Sequence, residues 1–291
     1  MLYWLLKHVI VGPALRVVYR PVVQGKEHLP AHGPAILASN HLSFSDSIFL
    51  PLVVPRRITF LAKSDYFTGR GFKGRLTAAF FRGVGQVPID RAGGSASRAA
   101  LNAGLRILRS GELLGIYPEG TRSPDGRLYR GRTGAARMAL KSGAPLIPVA
   151  MIGTDKAQPT GQIIPSIHRI EVRIGAPLDL TAYAGRGSED REALREITDA
   201  LMARLQELSG QRYVDVDSAA HKRQLLAAAR ARLKDGQERL KEGQAKAAEL
   251  GSRLAHRAHP DEDGVEPLSM TRRASQPDPD AGDRPDLRHA G

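Results

Sequence analysis

From about Ala35 to Gly175, short continuous apolar runs alternate with stretches of helical periodicity. Ala35–Ser39, Ile58–Ala62, Gln86–Ile89, Leu113–Tyr117, Pro145–Ile152 and Ile170–Ile174 read as strands, and Asp46–Val53, Phe72–Phe81, Ser95–Ser110 and Thr133–Lys141 as helices, several closed by Gly or Pro. This alternation predicts an α/β domain with a mixed, largely buried sheet flanked by helices. A further helix is predicted at Ser188–Leu208, where Ser188, Glu189 and Asp190 supply a start signal.

The flanks differ from this core. Within residues 1–20, Met1–Leu15 is dense in Leu, Val and aromatic side chains, holds the only Trp (Trp4), and is followed at the edge by Arg16 and Arg20. An apolar segment this short, with Tyr3 and Trp4 as amphipathic rings, suits a helix lying in a membrane interface; a helix packed on its own domain is the competing reading. The segment lacks a small-residue cleavage site, which argues against a signal peptide. No run approaches the roughly 18 apolar residues of a spanning helix.

Residues 217–257 form a basic stretch rich in Ala, Arg and Lys, in which Leu226, Leu233, Leu240, Ala247 and Leu254 recur every seven residues. The run beginning at Arg232 is repeated almost unchanged from Arg239, which places Gly236 and Gly243 beside the leucines, each glycine costing about 1 kcal/mol relative to Ala in a helix interior. A weak coiled coil, a lipid-contacting amphipathic helix and a solvated helix are all open, and the narrow apolar seam favours the solvated or weakly associating form. Residues 260–291 have too few large apolar residues for a core and read as a disordered acidic tail. The remaining residues, 21–210, form the domain in which candidate chemistry is expected.

Composition then narrows the function. The 291 residues carry 43 Lys plus Arg against 30 Asp plus Glu, a formal charge of +13. Residues 260–291 hold eight acids and four basic residues, a net of −4, so residues 1–259 carry +17. Such a field attracts nucleic acid, anionic lipid or phosphorylated small molecules. The absence of cysteine excludes disulfides, thiol nucleophiles and cysteine-ligated metal centres.

Two loops carry candidate chemistry. Asn40-His41-Leu42-Ser43-Phe44-Ser45-Asp46 lies between a predicted strand and a predicted helix, a common place for an active site in an α/β domain. Histidine exchanges protons near neutrality, and a carboxylate five residues on could hold its ring in one tautomer. Taken alone, Asn40, Ser43, Ser45 and Asp46 are also ordinary helix-capping residues. No Gly-x-Ser-x-Gly elbow supplies an enzyme nucleophile, so the dyad suits a substrate that brings its own hydroxyl for attack on an acyl donor. Glu119-Gly120-Thr121-Arg122-Ser123, after another strand, can offer amides, hydroxyls and a guanidinium to a phosphate, although alone it reads as a turn with a solvated charge. Gly85 to Arg91 is weaker still.

In order, these blocks resemble the motifs of the 1-acylglycerol-3-phosphate acyltransferase family of glycerolipid acyltransferases. Asn40-His41 through Asp46 is similar to the first motif, Gly85 through Arg91 to the second, Tyr117 through Ser123 to the third and Leu146 to Val149 to the fourth, and the resemblance covers roughly Pro21 to Leu208. It implies that His41 is the general base and Asp46 its support. It also implies that Lys63, Arg91 and Arg122 bind phosphate, Gly120 and Thr121 shape the loop, and Glu119 holds Arg122 or the glycerol moiety. Tyr117 stands where many relatives have Phe, and Val87-Pro88-Ile89 replaces a bulkier apolar run, a departure that bears on substrate choice.

The implied activity is transfer of a fatty acyl group from acyl-CoA or acyl carrier protein to lysophosphatidate, giving phosphatidate, at an anionic membrane surface on the cytoplasmic face, by a peripheral or monotopic enzyme. Neither a metal nor a redox cofactor is expected, because a thioester already activates the acyl group. Another lysophospholipid, glycerol 3-phosphate or a glycolipid is the alternative acceptor. A basic nucleic-acid-binding module would explain the charge but neither the His–Asp pair nor the ordered blocks, so no nucleic-acid partner is expected.

Overall fold

The computed structural model describes residues 2–63, 68–69, 71–72, 74–75, 78–79, 85–89, 96–159, 161–162 and 165–258. Half of the positions of the helix expected at Phe72–Phe81 fall outside them, as do Arg91 and residues 260–291.

Seven strands form the main sheet: β1 (Val22–Gln24), β2 (Ala35–Ser39), β3 (Ile58–Lys63), β4 (Gln86–Ile89), β5 (Leu113–Ile116), β7 (Leu146–Ile152) and β8 (Glu171–Ile174), in the order β1-β8-β7-β2-β5-β3-β4. All neighbours run parallel except β7 and β8, so the sheet is mixed, as the alternating pattern predicted. Two short strands, β6 (Leu128–Tyr129) and β9 (Tyr213–Val214), pair parallel in a second sheet. At two residues each they leave no readable pattern in the sequence, and three-residue β1 was missed for the same reason.

Both faces of the main sheet are buried. Ala35 and Leu37 of β2 point into one core with Ile147 and Val149 of β7, where they meet Phe49, Leu50 and Leu52 of α3 (Asp46–Val53) and Tyr19. Ile36 and Ala38 point into the other, against α4 (Ala96–Arg109), α5 (Gly134–Ser142) and α7 (Arg191–Ser209), through Leu108, Met138, Leu194, Ile197 and Leu201. Residues alternate across a strand, so a strand between two helical layers must be apolar at every position, which is why β2 reads as an unbroken run. Helix α7 begins later than its expected start: Asp190, not Ser188, is the cap, its carboxylate accepting from the amides of Glu192 and Ala193.

The N-terminal segment is helical from Leu2 to Tyr19, with a widened π turn over Leu6–Ile10 between α1 (Leu2–Leu5) and α2 (Val11–Tyr19). One side packs on the domain: Lys7, Gly12 and Tyr19 are buried, Lys7 donates to the carbonyls of Val54 and Pro55, and Arg16 donates to Leu52 O (2.9 Å). Burial, and secondarily Arg16, depress the Lys7 ammonium to a pKa of about 8. The other side leaves Trp4, Val9, Ile10 and Val17 exposed. The helix thus packs on its own domain and still presents an apolar face. No helix among the described residues is long and apolar enough to cross a membrane.

The chain divides into two compact units, Met1–Ala229 and Arg230–Gly291. Two further α-helices among the described residues are α6 (Thr154–Ala157) and α8 (Ser218–Ala258).

Candidate active site

Parallel strands deliver their C-terminal ends to one edge of a sheet, and ligands in open α/β sheets bind outside that edge. Here β2 and β5 are direct neighbours, with Ala38 opposite Ile116, so the loop after Ser39 and the loop after Ile116 lie side by side. Residues separated by some eighty positions in the sequence become one site.

At its centre His41 Nδ1 lies 2.8 Å from Asp46 Oδ2. The same oxygen accepts the amides of Leu42 (2.7 Å) and Ser43 (2.8 Å). Asp46 is fully buried as the first residue of α3, whereas the His41 side chain is 16% exposed. A carboxylate oxygen receiving hydrogen from Nδ1 leaves Nε2 as the nitrogen with a free lone pair, facing away from the protein's own acceptor. The ring is held from the side as well. Tyr117 stacks on it at 3.8 Å and 11°, and Phe60 stacks on Tyr117 at 5.6 Å. The Tyr117 hydroxyl pairs with Ser47 Oγ (3.0 Å), and burial, then the Asp46 charge, pushes its pKa far above the ordinary tyrosine value.

The backbone around His41 is fixed at both of its polar groups. Its amide donates to Glu119 Oε1 (3.1 Å) and its carbonyl accepts from Ser123 N (2.8 Å). Glu119 Oε2 accepts from Tyr129 N (2.9 Å), so one carboxylate ties the His41 loop to β6. Glu119 is 1% exposed, engages both oxygens with backbone amides, and among the described residues makes no ion pair with Arg122. Burial raises its pKa to about 7, against the pull of the two amides.

Asn40 performs the same service one residue earlier. Its Oδ1 accepts from Met151 N (2.7 Å) and its Nδ2 donates to Met151 O (3.0 Å) and to Gln211 Oε1 (2.6 Å). Gln211 Nε2 continues to Gly126 O (2.7 Å). Ser43 Oγ and Ser45 Oγ bond the backbone and side chain of Gln158. Asn40, Tyr117 and Ser123 lie inside the motif blocks, so their neighbourhood was legible. Nothing in the sequence points to Gln158 or Gln211.

Of the residues expected to bind phosphate, Arg122 is half-buried on the third-motif loop and makes no ion pair among the described residues. Gly120 sits at φ +75° in the turn that returns its amide to Tyr117 O (3.0 Å), and a Cβ there would lie 3.0 Å from Arg132 Nε. Thr121 follows it, half-buried. Lys63 closes β3 opposite Ile89, at the same sheet edge, but its side chain lies outside the described residues, as does Arg91. Beside α3, an apolar cleft is lined by Tyr3, Leu6, Val11 and Leu15 on one side and Phe44, Ile48 and Leu52 on the other.

A buried carboxylate that orients a histidine and leaves its outer nitrogen free is a site for taking a proton from a hydroxyl. An arginine on the adjoining loop that makes no ion pair among the described residues, and an apolar cleft along the helix of that carboxylate, fit acyl transfer better than a hydrolase with its own serine.

The family model and the curated relatives agree with that class. Residues 20–152 match the family model described as Acyltransferase. Over 188 residues the chain is 31% identical to the 1-acyl-sn-glycerol-3-phosphate acyltransferase of Bacillus subtilis (strain 168), which covers 64% of this chain and 86% of that protein. It is 33% identical over 144 residues to the chloroplastic 1-acyl-sn-glycerol-3-phosphate acyltransferase BAT2 of Brassica napus, covering 49% of this chain but only 40% of that relative. Among solved structures, the 1-acyl-sn-glycerophosphate acyltransferase of Thermotoga maritima matches at a TM-score of 0.49 and 24% identity, over 68% of this chain and 80% of that one. The chain belongs to the acyltransferase family.

Proposed function

We propose that this protein acylates the free hydroxyl of 1-acyl-sn-glycerol 3-phosphate with a fatty acyl thioester, giving phosphatidate for phospholipid synthesis. The observation that carries the reading is the His41 Nδ1–Asp46 Oδ2 contact at 2.8 Å, a pairing that makes Nε2 the nitrogen to take a proton. His41 Nε2 takes the proton of the acceptor hydroxyl as its oxygen attacks the thioester carbonyl. The tetrahedral intermediate then collapses, the C–S bond breaks, and the proton passes from His41 to the departing thiolate. Such a base contributes about 10²–10⁴-fold in rate. Asp46 steadies the imidazolium, and Glu119, Asn40 and the Tyr117 ring position the histidine. Arg122, with Lys63 and Arg91, supplies positive charge for the acceptor phosphate.

The printed names of the Bacillus subtilis and Brassica napus relatives support this acceptor. An acyl-CoA or acyl carrier protein donor suits the thioester chemistry, and the cleft between the N-terminal helix and α3 offers an apolar seat for an acyl chain close to Asp46. The exposed face of Trp4, Val9, Ile10 and Val17 is suited to insertion at an anionic bilayer surface, where the acceptor resides. To test the activity, purified protein is given lysophosphatidate, lysophosphatidylglycerol or glycerol 3-phosphate with one acyl-CoA, and the products are identified by mass spectrometry. Phosphatidate from the first acceptor alone is expected; acylation of either other acceptor in preference would reject the assignment.

A further inference from the structure

The sequence favours a solvated or weakly associating form for the C-terminal basic stretch, but its structure carries a more specific reading. Helix α8 is unbroken from Ser218 to Ala258 despite its glycines, and every residue from Arg223 to Leu254 is exposed. At about 100° per residue, Leu233, Leu240, Leu250 and Leu254 fall on one third of the circumference, separated there by Gly236, Gly243 and Ala247. Arg230 and Lys241 border this strip on one side, and Arg232 and Arg239 on the other. Glu238, Glu242 and Glu249 lie on the opposite face, where Glu238 and Glu249 pair with Lys234 (3.8 Å) and Arg253 (2.7 Å). Over the whole helix ten Lys and Arg stand against four Asp and Glu, a net of +6.

We propose that this face of α8 docks on an anionic lipid surface. Leucines flanked on both margins by long cationic side chains, with the acids turned to water, match the interface of a bilayer: the leucines enter the acyl boundary while Arg and Lys stems extend along it and place their charges among the phosphates. Among the described residues Arg230, Arg232 and Lys241 make no ion pair, so their charge is available. A second copy fits less well. Two such strips face to face would bring basic margins together, with Asp235, already paired to Arg239 (3.1 Å), as the acid beside them. The inference concerns binding and stands apart from the identity of the acceptor.

The full chain is tested by sedimentation with vesicles of phosphatidylglycerol and phosphatidylcholine, and of phosphatidylcholine alone. Two helix variants are compared with wild type: L233E/L240E/L254E and R230Q/R232Q/K241Q. A third, R98Q/R106Q/R109Q, removes equal charge from exposed positions on α4. Each helix variant is expected to lower partitioning onto the anionic vesicles by about tenfold or more, with little change on neutral vesicles and a much smaller loss for the α4 variant. Wild-type partitioning by either helix variant, or an equal loss in all three, overturns the proposal. So does a leucine variant that converts a dimer to a monomer by light scattering while its vesicle binding is unchanged, which would assign the strip to a second copy.

Discussion

Asp46 gathers three donors on one oxygen, the His41 ring nitrogen and the amides of Leu42 and Ser43, so ring orientation and loop shape depend on the same atom. Asp46→Asn can keep one oxygen for those three donors, but it loses the negative charge that steadies the imidazolium and puts an NH2 group without an acceptor where the buried Oδ1 has no partner. We expect its kcat to fall at least 100-fold, and that of His41→Ala by 10²–10⁴-fold, with the melting temperature of His41→Ala near wild type because the ring is not part of the core. Near-native turnover of folded His41→Ala would sink the mechanism. Glu119 poses a different balance. Its carboxyl titrates near pH 7 in the fold against an ordinary value of 4.5, so the native state binds the proton more tightly than the unfolded chain. The resulting stabilisation is fully present below about pH 4.5 and is lost as pH rises through about 7, on the order of 3 kcal/mol in all. Yet only the ionised form accepts both amides well, so the loop is held best where the group costs most. Glu119→Gln should therefore lower kcat about tenfold, the equivalent of one charge-assisted hydrogen bond, with little change in KM for the acceptor. Thermal melts of wild type and variant across pH 5–8 should diverge in the stated direction; parallel curves would show that Glu119 does not titrate there.

At the scale of elements, the sheet positions the catalytic ring through a column of aromatic groups. A Cβ on Gly115 would lie 2.3 Å from the Phe60 ring, so only glycine lets that ring cross β5 to reach Tyr117, which in turn covers His41. Gly115→Ala should cost about 1–3 kcal/mol by overpacking and lower kcat as the column shifts. Tyr117→Phe, which keeps the ring and loses only the contact to Ser47, should retain most activity, and Tyr117→Leu should not. Equal kinetics for the two Tyr117 variants would remove the ring from the argument. This column also marks the limit of what the sequence displays. The strands of the sandwich were legible because burial on both faces leaves continuous apolar runs, and the His41–Asp46 pair was legible because five residues of one loop contain it. Gly115 looked like any glycine in a strand, Glu119 like a free carboxylate in a polar loop, and Gln211, 171 positions from Asn40, carries no local signal of their contact. Pairings across the sheet edge depend on strand order, which periodicity does not encode.

For the molecule as a whole, the question is where the catalytic unit ends. The motif blocks stop at Val149, and the sequence places the domain boundary near residue 210. The structure continues the support of the site beyond both. Gln211 joins Asn40 to Gly126, Arg212 O and Val216 O accept the amides of Leu128 and Arg130, and Asp217 and His221 reach Arg132 (3.0 Å) and Arg127 (3.2 Å). These contacts brace the segment 126–132, from which Tyr129 N meets Glu119 and hence the amide of His41. Ending the chain after Gly210 removes every one of them and leaves Asn40 Nδ2 without its second partner; of the core on that face it takes away the Tyr213 ring, which packs against it, and leaves the buried Leu194, Ile197, Leu201 and Leu205 in the chain. Ending it after Ala229 removes none. With a short-chain soluble acceptor, so that membrane binding does not enter, the truncation after Ala229 should keep kcat within about twofold of wild type. The truncation after Gly210 should fold, with a lower melting temperature, and lose at least tenfold in kcat, about 1.4 kcal/mol of transition-state stabilisation. If both truncations turned over alike, the strand pair β6–β9 and Gln211 would be bystanders, and the His41 loop would be held by Glu119, Ser123 and Met151 alone.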